Sequence, residues 1–138
     1  MSLCRLSFSF LLVVFIAYSA ACAGTKGYMC TVATELHLND DGSLTPYPRP
    51  LALGKRFAVD RSTGNLIESA PSLWSIPGEK VSVLSHGNRS NSFKATYTSP
   101  AAEQGVFHSL LMVEEYTDGV SKPFLLSSEG SVYAGVCE

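Results

Sequence analysis

The three histidines are the side chains of this sequence best suited to acid–base chemistry near neutral pH. They are His37, His86 and His108. None has the His-x-His or His-x3-His spacing that brings two imidazoles to one ion, so no metal site is predicted. His37 follows Glu35 by two residues, and strand alternation would place both on one polar face, where a carboxylate could orient an imidazole base. One hypothesis is therefore a small secreted hydrolase that uses His37 with Glu35, or His86.

The acidic pairs add little to that hypothesis. Asp40-Asp41 stands before Gly42 in a predicted turn, where Asp is favoured for its bonds to the backbone, and the full ligand pattern of a calcium loop is absent. Glu114 and Glu115 are neighbours in a predicted strand and should point to opposite faces. The sequence has no Gly-x-Ser-x-Gly nucleophile elbow and no motif for a cofactor. A non-enzymatic protein is favoured.

Asn88-Arg89-Ser90 has the form of an N-glycosylation sequon and lies in a predicted turn. Such triplets often arise by chance, and this one matters only if a eukaryotic cell exports the chain. The sequence alone therefore leaves Asn88 without an assigned role.

Two aromatic residues are candidates for contact with a partner, Tyr47 and Trp74. Tyr47 lies in a stretch with three prolines, and Trp74 lies shortly before Pro77-Gly78. Exposed aromatic side chains on loops are good anchors for a protein or a sugar, although a place in the core is the stronger expectation for Trp74. The favoured hypothesis is a binding or interaction module for an unknown protein, glycan or small ligand.

Short strands are the elements that must position these residues. Alternation predicts that Cys30, Val32 and Thr34 share one face of a first strand and that Glu35 and His37 share the other. Turn signals recur at regular spacing, and the one helical candidate is the single turn at 99–105. The expected fold is an all-β, single-domain, antiparallel β-sandwich or barrel with at most one short helix. The sequence does not separate these two architectures.

Residues 1–23 have the pattern of a secretory signal peptide: Arg5, an apolar run over 11–17, and small residues at Ala21 and Ala23. The apolar run is far shorter than the roughly 20 residues that span a bilayer. Cleavage before Gly24 would leave a single secreted or periplasmic β domain of residues 24–138. In the alternative, a lipoprotein, Cys22 would be acylated.

Cleavage would remove Cys4 and Cys22 and leave Cys30 and Cys137 near the two ends of the domain. One pair in an exported chain has one possible connectivity, so a Cys30–Cys137 disulfide is predicted. In the chain-entropy model a closure of this length contributes roughly 4 to 5 kcal/mol.

The charge balance argues against two classes of partner. The chain has 10 Lys and Arg against 12 Asp and Glu, a net charge of −2, and its basic residues are scattered. Nucleic-acid binders normally gather a basic surplus into a patch. Nucleic acid and anionic membrane are therefore not expected as partners.

Overall fold

The computed structural model describes residues 27–68, 80–101 and 105–138. Within these residues the chain forms nine strands and no helix. In chain order the strands are β1 Gly27–Leu38, β2 Leu44–Pro46, β3 Arg56–Asp60, β4 Leu66–Glu68, β5 Lys80–Asn88, β6 Asn91–Ala101, β7 Gly105–Val113, β8 Lys122–Ser128 and β9 Ser131–Cys137.

All nine strands belong to one antiparallel sheet that curls into a half-barrel. The strand order is β4-β3-β1-β9-β8-β7-β6-β5, and β2 pairs with the part of β1 that β3 leaves open. The expected all-β antiparallel fold is confirmed, and its form is a single curled sheet. The last three strands, β7, β8 and β9, form an antiparallel meander.

The inner face of the curl forms the core. Its aromatic side chains meet edge to face: the ring centroids of Phe57 and Phe124 are 5.3 Å apart, and those of Tyr28 and Phe93 are 5.4 Å apart. Such pairs add to the stabilisation that burial alone provides. The largest fully buried side chains are Tyr97, Phe57, Phe93, Leu111, Leu126, Val32, Val59, Val113, Cys30 and Cys137.

The predicted disulfide is present, with an S–S distance of 2.00 Å. Cys30 of β1 lies directly opposite Cys137 of β9. Met29 and Glu138 exchange two backbone hydrogen bonds, so the cysteines form the adjacent non-hydrogen-bonded pair, whose side chains come closest. The bridge therefore joins the first and last strands of the described domain.

The prediction that Glu35 lies on the polar face of β1, opposite Cys30 and Val32, is wrong. The register of β1 against β9 shifts between Val32 and Thr34, which leaves Ala33 as an extra residue. A bulge of this kind reverses the alternation that follows it. Glu35 pairs with Tyr133 and lies on the inner face with Val32, where its side chain is buried.

The helical turn predicted for 99–105 is also wrong as far as the described residues reach. Ser99 to Ala101 extend β6 and pair with Gly105 to Phe107 of β7, while 102–104 lie outside the described residues.

The turn between β3 and β4 brings the two halves of the sheet together. The hydroxyl of Tyr97 in β6 donates to the carbonyl oxygen of Gly64, at 2.8 Å. Gly64 has φ +77°, and a Cβ there would lie 2.9 Å from Cγ1 of Val81 in β5. Glycine is required at this position for its backbone conformation and for the close approach.

Within residues 27–68, 80–101 and 105–138, no helix is long and apolar enough to cross a membrane.

Candidate functional site

Residues 47–55, the proline loop, fill the gap between β2 and β3 along one edge of β1. Val32 donates to the carbonyl oxygen of Lys55 at 3.0 Å, and Gly54 donates to that of Val32 at 2.8 Å. Tyr47 donates to the carbonyl oxygen of Glu35 at 3.2 Å. The loop is therefore fixed to the sheet by its backbone at both ends.

The side chain of Glu35 fixes the middle of the proline loop. Glu35 is 7% exposed, and its Oε2 accepts a hydrogen bond from the backbone N–H of Ala52 at 2.9 Å. A buried carboxylate needs such a donor, and a bond to a charged acceptor is stronger than a neutral one. Ala52 is fully buried in the hydrophobic core.

The inward position of Ala52 leaves its two neighbours in solvent. Leu51 is 68% exposed and Leu53 is 47% exposed, and Tyr47 at the start of the loop is 37% exposed. We call these three residues the loop surface. Large apolar side chains held in water by a fixed backbone are typical of contact surfaces.

Two features limit the motion of the loop surface. Pro48 and Pro50 restrict φ at two positions within the loop. The ring of Tyr47 packs edge to face on that of His37, with centroids 5.5 Å apart. Tyr47, a predicted contact residue, therefore lies on an ordered, exposed loop, whereas Trp74 lies outside the described residues.

The sequence did not identify Leu51 and Leu53. Their pattern in the sequence is two leucines on either side of an alanine within a proline-rich stretch. This pattern does not indicate which of the side chains faces solvent. Which of the three residues turns inward depends on Glu35, whose face the bulge decides.

The contacts of the predicted hydrolase residues are structural. The Glu35 carboxylate bonds to Ala52, the exposed His37 ring lies against Tyr47, and no hydrogen bond joins Glu35 to His37 within the described residues. Nδ1 of His86 lies 3.0 Å from the carbonyl oxygen of Arg61. A carbonyl only accepts, so this nitrogen carries the proton.

His108 is also engaged at the surface. Its backbone N–H donates to Oε1 of Glu129 at 3.0 Å, and its Nδ1 lies 3.4 Å from Oγ1 of Thr98. In the described ranges, no three His, Cys, Asp or Glu side chains are grouped so that they could hold a metal ion.

A cluster of polar side chains that the sequence did not predict joins Tyr28, Arg61 and Glu115. The Tyr28 hydroxyl donates to Oε1 of Glu115, and Nη2 of Arg61 lies 3.2 Å from the same oxygen. Arg61 also lies over the Tyr28 ring, 5.2 Å from its centroid. Burial raises the pKa of Tyr28 and the bond to Glu115 raises it further, since both favour the neutral phenol.

This cluster joins the β3–β4 turn to β5 and to the segment after β7. Nη2 of Arg61 donates to the carbonyl oxygen of His86 at 3.1 Å, which ties the β3–β4 turn to β5.

Glu114 is not part of the cluster of Tyr28, Arg61 and Glu115. Its carboxylate interacts with Tyr116 and raises the pKa of that phenol by hydrogen bonding. Glu114 and Glu115 thus have separate partners, but they follow β7, which ends at Val113, and do not lie within a strand as predicted.

The acidic turn after β1 serves local structure. Oδ1 of Asp41 accepts from the backbone N–H of Ser43 at 2.9 Å and from its hydroxyl at 2.7 Å. These bonds to the charged form lower the pKa of Asp41.

Other apolar side chains reach solvent on the outer face of the sheet. Met112, Leu125 and Ala134 stand side by side across β7, β8 and β9, and each is partly exposed. A depression of about 390 Å³ lies near the start of β1, between Met29 and Ile67. These surfaces belong to regular strands and lack the side-chain anchor that distinguishes the proline loop.

No family model matches this chain, and no curated protein or solved structure matches it either. The fold and the site define a structural class: a disulfide-bridged antiparallel half-barrel that presents an anchored apolar loop.

Proposed function

We propose that the chain is an exported, non-enzymatic binding protein whose loop surface contacts a protein partner. The observation that carries the proposal is the placement of Leu51 and Leu53 in solvent by a loop that the buried carboxylate of Glu35 anchors.

The energetics of the loop suit binding. Burial of an exposed leucine in an apolar pocket contributes roughly 1.5 to 3 kcal/mol. Part of that gain is usually lost when a flexible segment becomes ordered on binding. The proline loop is already ordered by Glu35 and by three backbone hydrogen bonds to β1, so this loss is small.

The chemistry of the loop surface favours a protein over a glycan or a small ligand. Leucine side chains offer no hydrogen bonds to sugar hydroxyls, and only Tyr47 adds an aromatic face. The loop is presented outward, whereas small-ligand sites are concave. A partner with an apolar groove or cleft would accept two neighbouring leucines.

Export is supported by two independent features. Residues 1–23 have the composition of a signal peptide, and the two cysteines that remain after its removal form a disulfide. Disulfides persist in oxidising compartments and are rare in the cytosol. Both features favour a secreted or periplasmic protein.

Site-specific photo-crosslinking in the native host tests the proposed contact. A photoreactive amino acid at position 51 of the full chain is expected to trap one defined protein. The matched control is position 120, where Val120 is 84% exposed in the segment between β7 and β8. Leu53→Asp should weaken the adduct at position 51 at least tenfold, and Val120→Asp should leave it unchanged.

Two results would overturn this proposal. Equal adducts from positions 51 and 120 would show that the loop surface has no preferred partner. A protein-free adduct with a sugar or lipid at position 51 would replace the protein partner with another class.

The alternative is a small hydrolase that uses a histidine, and the contacts of Glu35 and His37 do not support it. His37→Ala and His86→Ala test it directly. Loss of a measured hydrolytic activity in either variant, with unchanged thermal stability, would favour the enzyme.

A further inference from the structure

The hairpin between β5 and β6 carries the sequon Asn88-Arg89-Ser90 at its tip. Asn88 pairs with Asn91 across the hairpin, and all four residues from 88 to 91 are exposed. The chain has four asparagines, and only Asn88 is followed two positions later by Ser or Thr. The sequon thus stands on the outside of a folded domain, where a bulky group meets no packed neighbour.

The two polar atoms of the Asn88 side chain have different roles. Its Oδ1 accepts a hydrogen bond from the backbone N–H of Ser90 at 2.8 Å. Its Nδ2 makes no hydrogen bond within the described residues. The turn therefore holds the carboxamide through its oxygen and leaves the nitrogen, the atom that N-glycosylation modifies, available.

We infer that Asn88 is an N-glycosylation site of the exported chain. This inference rests on the export that the proposed function includes, and specifically on export by a eukaryotic cell, but not on the loop surface. The glycosyl donor is an oligosaccharide linked to a lipid diphosphate. A bond forms between Nδ2 of Asn88 and the anomeric carbon of the first sugar, the bond from that carbon to the diphosphate oxygen breaks, and Nδ2 gives up one proton to a base of the transferase. The lipid diphosphate is the leaving group.

A glycan at this position would shield the end of β5 from other chains. β5 pairs only with β6 among the described strands, and its Leu84 is 61% exposed. Unpaired edge strands with exposed apolar residues promote association between chains. Arg61 bonds to the carbonyl oxygens of His86 and Gly87, and a sugar on Asn88 would cover the end of β5 just beyond them.

The test is mass spectrometry of the full chain recovered from cells of its own source, before and after treatment with an amidase that removes N-glycans. We expect the peptide that contains Asn88 to carry the additional mass of a carbohydrate. After treatment the carbohydrate should be absent, and position 88 should be an aspartate. Ser90→Ala should abolish the modification although it keeps the backbone N–H that bonds Asn88. Ser90→Thr should retain it, and Asn91→Gln should retain it as a control in the same hairpin.

The results separate this inference from the proposed function. An exported, disulfide-bonded chain with unmodified Asn88 would overturn the inference and leave the binding proposal standing. Carbohydrate that persists in Ser90→Ala would place the modification elsewhere and would also overturn it. A chain retained in the cytosol with its cysteines reduced would overturn both.

Discussion

At the scale of single residues, Glu35 has the largest influence on the candidate site. It is one acidic residue among 12 and sits in an alternating strand, a pattern that usually indicates a solvent-facing side chain. Inside the half-barrel its carboxylate holds Ala52 and thereby determines which side chains of the proline loop face water. Its role is to position the residues that would make contact.

Glu35→Ala should destabilise the protein by about 1–3 kcal/mol, because it leaves the buried N–H of Ala52 without an acceptor. Glu35→Gln keeps an acceptor oxygen and should cost less. Urea unfolding of both variants checks the order, and hydrogen exchange at the Ala52 amide should accelerate most in Glu35→Ala. Equal stability and equal exchange in the two variants would contradict the anchoring role.

Tyr28 predicts a dependence of stability on alkaline pH. Its pKa is raised above that of an unfolded tyrosine, near 10, so the stability it contributes is complete below about pH 10. That contribution is lost as pH rises from there toward the raised folded value, because the unfolded chain ionises first. Tyr28→Phe should therefore flatten the loss of stability above about pH 10, as measured by urea midpoints at a series of pH values. An unchanged slope would contradict this assignment.

At the scale of elements, the strand β1 combines two irregular features. The bulge at Ala33 turns Glu35 inward, and the same stretch of β1 lacks a regular strand on its other edge, where the proline loop supplies the hydrogen bonds instead. Bulges commonly redirect a side chain, and this one does so near the candidate site while β1 continues to pair with β9 as far as His37. The anchored loop is thus a product of strand geometry.

The β3–β4 turn should tolerate no side chain at Gly64. In Gly64→Ala the positive φ is unfavourable, and the added Cβ would also lie 2.9 Å from Val81 and 3.0 Å from Val83. The two close contacts should lower the free energy of unfolding by about 1–3 kcal/mol beyond the loss that the positive φ causes. Gly42→Ala is the matched control, since Gly42 has φ +82° and nothing within 4 Å of the added Cβ. Thermal unfolding of both variants gives the difference, and similar losses would show that the turn does not pack on β5.

At the scale of the whole molecule, the two strands at the ends of the described domain lie side by side within the sheet. β1 and β9 are neighbours in the strand order, and Cys30–Cys137 links them across 107 residues of sequence. The β1–β9 pairing joins the strands β4, β3 and β1 to the strands β9 to β5, and the bond from Tyr97 to Gly64 joins these two groups a second time.

Reduction of the disulfide should therefore lower the free energy of unfolding by about 4–5 kcal/mol. Urea midpoints with and without reductant measure the loss, and the double variant Cys30→Ala/Cys137→Ala should show the lower value and no response to reductant. A reductant-sensitive double variant would indicate an effect unrelated to this bridge.

The sequence by itself determined the all-β antiparallel class, the first strand and, when residues 1–23 are taken as a signal peptide, the disulfide partners. These features follow from local signals, namely alternation, turn residues and a single remaining cysteine pair. The single turn predicted at 99–105 failed because Pro and Gly also suit strand ends, and pairing with β7 outweighed the local helical preference.

Only the tertiary structure decided the face of Glu35, the exposure of Leu51 and Leu53, and the grouping of Tyr28, Arg61 and Glu115. A one-residue bulge inverts every later side chain of a strand, and no local pattern in β1 announces it. The cluster joins residues from separate strands and turns, so its existence depends on how far the sheet curls. That curl arises from strand twist and core packing summed over the whole sheet.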